Sequence, residues 1–568
     1  MSGGAAVRVQ RDDVAREDSM MGEADGSPML SSGGGPQPAR AMHRHDQSPV
    51  PAAPRESLIV FALAAFVLLV AVLTITPWPV GAFQDDAIYT VLAKALATGE
   101  GFRLINLPGA PANTHYPPGY PLVLAALWKL WPSFPGNIVL FKFANAAFLS
   151  AAAVGTYHVS RQRLAFTPLQ AAVTALVGTL SITVLLVTGV VLSEPLFLAL
   201  VLPALLVAER AADTGRVRLA VVAGLLLGAL AMVRTLGAFA IPAAGLVLLW
   251  RGHWRAMFAL GAAAALFVVP WQLWVSAHQA EIAHPLVGKY GSYGSWLAEG
   301  YRAGGWDFAR AAVVRNLQDI DSTVSYMLLP VRATLPRAAA IVALLVFLLA
   351  GTKRYARHAP VTVGFLACYM LVVMLWPFEP NRFLLAVWPL WLPFVGFGVQ
   401  ACWQGALPGA RRLPRPLLYP WRALVAVAAL AIAGGYAWYN VTGYSRQWWA
   451  AVQRNAGERA RPTVEWVARH TAPDDVVATE DDLIIYLYTG RRAVPTSTFT
   501  AAERVRPLTP AEDLRAVDEI FAAYDPRWFI VGSAAGRRSA QALGARTPPE
   551  VRPVARTPYV LIHERLSR

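Results

Sequence analysis

The run 57–78, SLIVFALAAFVLLVAVLTITPW, followed at once by Phe83-Gln-Asp-Asp-Ala-Ile-Tyr89, decides how this chain is read. Twenty-two consecutive uncharged residues are enough to cross a hydrocarbon core as a helix. The acidic pair therefore emerges from a membrane rather than from a soluble core. Adjacent carboxylates there are costly, because like charges resist joint ionisation and desolvation adds to the cost. Asp85, Ile88, Tyr89, Leu92 and Leu96 share one face of a short interfacial helix that Gly99 and Gly101 end. The pair serves either chemistry or an ion, or it only complements the helix dipole at the first turn. Charged groups that recur later in the chain favour the first reading.

The rest of the sequence agrees on class. Its 568 residues are 56% hydrophobic and 15% charged, with 19 Trp and a mean hydropathy of +0.42. That is a polytopic α-helical membrane protein. The net charge of +15 does not point to nucleic acid, because the arginines sit in short loops between apolar runs. Such loops mark the cytoplasmic side. Two cysteines, Cys368 and Cys402, are too few for a disulfide framework or a zinc site.

Residues 1–55 are rich in Gly, Ser, Pro and Ala without apolar periodicity, and read as a disordered cytoplasmic tail with no signal peptide. After 57–78, apolar runs fall at 136–158, 166–189, 192–208, 217–233, 236–250, 256–276, 336–350, 360–378, 382–401 and 422–440. Basic loops at Arg161–Arg163, Arg210–Arg218, Arg251–Arg255, Lys353–His358 and Arg411–Arg422 take every second turn. The expectation is about eleven spans in a membrane domain over 56–444, with the C terminus outside. Outer loops cover 79–135 and 277–335, and the second is Gly-rich and aromatic, as a mobile cover would be. Residues 445–568 read as a small extracytoplasmic α/β domain. Strands are expected at 474–480, 483–488 and 528–531, and helices at 462–470 and 511–523. Asp481 and Asp482 fit a solvated loop and stay outside the candidate site.

Chemistry concentrates at the outer ends of the spans. Glu194, in Val191-Leu-Ser-Glu-Pro195, is a carboxylate at a hairpin near the depth of Asp85; Ser193 as cap and Pro195 in the first turn give it a purely structural alternative. Arg234 and Arg382 lie at outer turns, against the usual arginine preference, so each should have an anionic partner: Glu379, a lipid headgroup or a phosphate. Lys289 is the only lysine of the second long loop. Together these suggest a reaction on a phosphorylated lipid. Asp85 and Asp86 supply the base, and Arg234 with Arg382 hold the departing phosphate. Asp85, Asp86 and Glu194 could also hold a divalent cation through oxygen.

Asp85-Asp-Ala-Ile-Tyr89, His115-Tyr-Pro-Pro-Gly-Tyr-Pro121, Ser193-Glu-Pro195, Arg234 with Gly237, and Arg382-Phe-Leu-Leu385 follow one another in that order. The set resembles the GT-C glycosyltransferases, in the group related to protein O-mannosyltransferases and lipid A aminoarabinose transferases. The resemblance covers about 57–440 and, more loosely, the outer domain at Tyr488-Thr-Gly-Arg-Arg492. It implies inverting transfer of one sugar from a polyprenyl-phosphate donor to a glycan, lipid or protein acceptor, at the outer face of a bacterial inner membrane. It also implies that Asp85 is the catalytic carboxylate, with Asp86 and Glu194 in supporting positions and Arg382 near the donor phosphate. Tyr89 lies on the helix face that Asp85 occupies. Where the lipid A enzymes carry a lysine before the motif's proline, this chain has Tyr116; His115 could take its place, or simply form hydrogen bonds in the turn. The rival class is a transporter or flippase whose acids and arginines line a path. Against it, the acids sit at loop–helix junctions rather than mid-span.

Overall fold

The structure, a computed structural model, describes residues 54–376, 378–406 and 413–566. Residues 1–53 of the expected tail, with Arg411 and Arg412, lie outside the described residues; 54 and 55 already begin the first helix, Pro54–Leu73.

Every apolar run is carried by helix, and the protein is a multi-pass helical membrane protein. Among the described residues, six helices are long and apolar enough to cross a bilayer alone. The pair Pro168–Thr179 and Ile182–Gly189, bent by 55°, makes a seventh if taken as one span. Val217–Val233 and Pro360–Leu375 are apolar but shorter. The run 382–401 divides into Asn381–Leu385 and Trp388–Trp403. Phe61, Leu69, Leu345 and Leu349 are exposed on the bundle's outside, as they should be where lipid replaces water.

Small residues bring the helices together, the usual device where lipid removes the hydrophobic drive for helix association. A Cβ on Gly351 would lie 2.1 Å from the Phe394 carbonyl oxygen, so Thr334–His358 and Trp388–Trp403 touch backbone to backbone.

One end of the bundle carries the segments 79–135 and 277–335. The first forms the helix Asp85–Thr98, stopped by Gly99 in the left-handed region, whose N–H closes on the Ala95 carbonyl. Buried Lys142, on Ile138–Gln162, donates to the Thr76 carbonyl (2.9 Å), the Trp78 carbonyl (2.8 Å) and Gln453 Oε1 (2.6 Å). That ammonium ties the start of the segment to both the bundle and the helix Trp448–His470.

The second segment is not the loose cover its glycines suggest. Short turns lead into the helix Tyr293–Leu328, which Ser292 caps and which breaks at Gly305 (φ 50°). A Cβ on Gly288 would meet the Thr498 carbonyl oxygen at 2.1 Å, so the glycine is there for close packing.

The C-terminal region holds a five-stranded sheet of β1 (Val477–Thr479), β2 (Ala493–Val494), β3 (Trp528–Val531), β4 (Val551–Arg556) and β5 (Leu561–Arg565) in the order β2-β1-β3-β5-β4. β1 runs parallel to β2 and β3, whereas β5 is antiparallel to β3 and β4. The helices expected at 462–470 and 511–523 lie within Trp448–His470 and Pro510–Tyr524. The expected strand at 483–488 is instead the helix Asp482–Thr489. Its six apolar or aromatic residues have no period that separates a buried strand from a buried helical turn. Gly490, in the left-handed region, ends it as a helix.

Candidate active site

The chain enters the helix Asp85–Thr98 through Gln84 at φ 61°. Asp86 makes that turn possible. Its carboxylate accepts from the backbone N–H groups of Gly81 (2.6 Å), Ala82 (3.1 Å) and Phe83 (3.1 Å). It is wholly buried, and burial pushes its carboxyl above the usual range against the pull of those three donors. Its oxygens are thus spent on the loop. The two neighbouring acids face different ways, which relieves the repulsion expected of the pair.

Asp85 turns the other way. Its Oδ1 accepts from the Tyr116 hydroxyl at 2.7 Å, and its Oδ2 from Arg382 Nη1 at 2.8 Å. Arg382, from the short helix Asn381–Leu385, also donates through Nε (2.9 Å) and Nη2 (2.8 Å) to Glu194 Oε1. Arg234 Nη1 reaches the same oxygen at 2.8 Å and Ser193 Oγ at 3.1 Å. The Tyr89 hydroxyl pairs with Ser193 Oγ at 3.1 Å. Two carboxylates and two guanidiniums, from four distant stretches of sequence, form one charge-balanced cluster. The Phe83 and Phe383 rings lie 5.8 and 5.7 Å from the Arg382 and Arg234 guanidiniums.

Exposure divides the cluster into an inner and an outer half. The Glu194 side chain is 2% exposed and that of Arg234 9%, against 25% for Asp85 and 24% for Arg382. Only the outer pair is open to a ligand. Glu194 Oε2 is buried and has no hydrogen-bond partner among the described residues.

Other candidates fall differently. His115 is buried beside Tyr116, and its Nδ1 lies 2.6 Å from the Gly291 carbonyl, so that nitrogen carries the proton and donates. Burial holds its imidazole down at about 4, so at neutral pH it is uncharged and supplies no positive charge for a phosphate. Lys289 does not join the cluster. It is buried against Asp482, Nζ to Oδ1 at 2.5 Å. Asp482 is fully buried, not in a solvated loop. Glu379 is exposed and pairs with neither arginine. Ser193 makes no capping bond to its helix; its hydroxyl serves Arg234 and Tyr89 instead. The three acids share no cation-sized centre, since Asp86 faces backbone and the other two face guanidiniums. No group of three or more His, Cys, Asp or Glu placed to hold a metal ion occurs among the described residues.

One residue beside the site lay hidden in the sequence. Tyr293 stacks on His115 (ring centroids 3.8 Å) and meets Trp376 (5.1 Å). Repeated Gly, Ser and Tyr in 290–294 masked it.

Apolar helices, acids at the first turns of Asp85–Thr98 and Glu194–Thr214, and a terminal sheet domain make up the architecture to be compared with known folds. No protein-family model and no curated protein matches the sequence. Among solved structures, the chain is similar to ArnT from Cupriavidus metallidurans bound to undecaprenyl phosphate. The identity is 13%, 90% of this chain and 98% of that one are covered, and the TM-score is 0.52. Looser likenesses, which carry no weight, are to the S. cerevisiae protein O-mannosyltransferase Pmt1-Pmt2 complex bound to the sugar donor (15%, 41% and 34% covered, TM-score 0.32) and to arabinosyltransferase EmbB from Mycobacterium smegmatis (11%, 92% and 47%, 0.34).

Proposed function

We propose that the protein is a membrane glycosyltransferase that moves one sugar from a polyprenyl-phosphate donor to an envelope glycan, lipid or protein. The observation that carries this reading is the half-open Asp85–Arg382 pair, a carboxylate and a guanidinium 2.8 Å apart on the closed Glu194–Arg234 pair. Sugar transfer from a lipid phosphate needs one group to take a proton and one to hold an anion, side by side.

In the resting protein Arg382 occupies Asp85 Oδ2. A donor phosphate entering beside Arg382 competes for that guanidinium and releases Asp85 Oδ2. Asp85 then takes the proton of an acceptor hydroxyl as its oxygen attacks the anomeric carbon. The sugar–phosphate bond breaks with its electrons on the phosphate, which Arg382 neutralises, and attack opposite the leaving group inverts the centre. Tyr116 keeps Asp85 aimed through its other oxygen. Glu194 and Arg234 hold Arg382 in place, and Tyr89 reaches them through Ser193. An apolar cavity of about 1160 Å³, lined by Trp388, Leu344, Ile432 and Leu384, the last on the same short helix as Arg382, suits a polyprenyl chain.

By the basic-loop pattern, this site faces the outside of a bacterial inner membrane, with the N terminus cytoplasmic, the membrane domain at 56–444 and the sheet domain of 445–568 extracytoplasmic. The test is Asp85→Asn in full-length protein, with mass spectrometry of envelope lipids and glycans from a deletion strain complemented by each form. Wild type restores one missing sugar and Asp85→Asn does not. Restoration by Asp85→Asn sinks the assignment. Altered lipid distribution with no missing sugar favours a flippase.

A further inference from the structure

Taking the sugar-transfer reading as given, we propose that Asp482 and Lys289 are positioning residues. Through them the C-terminal domain sets where the segment 289–293 lies and, by way of His115 and Tyr116, where Asp85 points.

The path is short and built of hydrogen bonds. Both Asp482 oxygens are engaged, Oδ1 by Lys289 Nζ and Oδ2 by the Tyr290 hydroxyl, each at 2.5 Å. Asn106 Nδ2 donates to the Tyr290 hydroxyl at 3.2 Å, and the Asn106 carbonyl accepts from the backbone N–H of Ala493 at 2.9 Å. One buried knot thus joins the first segment, the second segment and the sheet domain. The next residue along, Gly291, offers its carbonyl to His115 at 2.6 Å, and Tyr293 lays its ring on the same imidazole. His115 precedes Tyr116, whose hydroxyl donates to Asp85.

A second set of contacts acts on the same segment. Gly288 is pressed on the Thr498 carbonyl too closely for any side chain, and Trp296 Nε1 donates to the Phe499 carbonyl at 2.9 Å. The C-terminal domain therefore grips 288–296 at both ends, with the site-facing residues between. A buried ion pair adds little net stability over apolar packing of the same volume. What it supplies here is a fixed register: one carboxylate facing one lysine and one phenol admits a single arrangement of 289–291.

The test uses full-length protein in detergent, with undecaprenyl phosphate as probe, and compares wild type with Asp482→Asn and Tyr290→Phe. Amide exchange is read over 113–116 and 287–293, and affinity for undecaprenyl phosphate in parallel. Asp482→Asn speeds exchange in both segments about tenfold and weakens the probe by a similar factor, while Tyr290→Phe, which keeps the ion pair, gives about threefold. Exchange in β3 and β5 stays at the wild-type rate. Wild-type exchange over 113–116 in the variants, or unchanged affinity while 287–293 loosens, overturns the proposal. Should Asp482→Asn not fold, Tyr290→Phe decides. A wild-type protein that ignores undecaprenyl phosphate counts against the sugar-transfer reading instead, and exchange over 113–116 still decides the positioning role.

Discussion

Neutralising Glu194 tests the charge balance of the cluster directly. In Glu194→Gln the side chain keeps its shape, but the oxygen that Arg234 and Arg382 meet at 2.8 Å loses its charge. Arg382 retains Asp85. Arg234, 9% exposed, is left with Ser193 Oγ and no carboxylate. Stranding a buried charge in this way costs about 3–5 kcal/mol, on the order of a hundred- to several-thousandfold in the folding ratio. Thermal unfolding of the full chain in detergent should then shift down by roughly 3–5 °C, since a chain of 568 residues has a large unfolding entropy. The double variant Glu194→Gln/Arg234→Gln removes the stranded charge and should recover more than half of the loss, a coupling that the four-way comparison isolates. A single variant that melts within about 2 °C of wild type, or a double variant as damaged as the sum of the two singles, would refute the reasoning.

Other outcomes follow from the same geometry. Asp85→Asn should lower sugar transfer at least a hundredfold, as loss of a general base does, with little change in melting because Asp85 is a quarter exposed. Lys142→Met leaves the Thr76 and Trp78 carbonyls and Gln453 without their donor and should cost roughly 3 kcal/mol in unfolding experiments. His115 gives a pH signature. Its folded value of about 4 lies below the ordinary 6.5, so the unfolded chain takes up the proton first. Stability therefore falls as pH drops from about 6.5 to 4, by roughly 3 kcal/mol in total. His115→Gln should lack that component when melting is followed across the interval.

The membrane bundle was legible because span length is a one-dimensional property: a run such as 57–78 declares itself without knowledge of its neighbours. The acids and arginines of the site were legible for a related reason. Glu194, Arg234 and Arg382 each stand where a membrane protein ordinarily avoids charge, so each advertised a partner. Which partner was another matter. Glu379, three residues from Arg382, was the local choice, yet the guanidinium reaches across the fold to Asp85 and Glu194. The helix Asp482–Thr489 reads as a strand in the sequence because burial on all sides erases the period that separates the two.

Asp86 and Lys289 show where a sequence reading fails even when the charge is noticed. Both draw attention because a charge near a membrane surface needs an explanation, and both have one. Asp86 spends its oxygens on three backbone N–H groups within five residues of itself. Lys289 spends its ammonium on a carboxylate 193 residues away. A charge with enough donors or acceptors at hand is structural, and one left half-open to solvent is free for chemistry. That distinction depends on exposure in the folded protein, which neither spacing nor composition encodes. By it, Asp85 and Arg382 are the pair that the proposed sugar transfer would use.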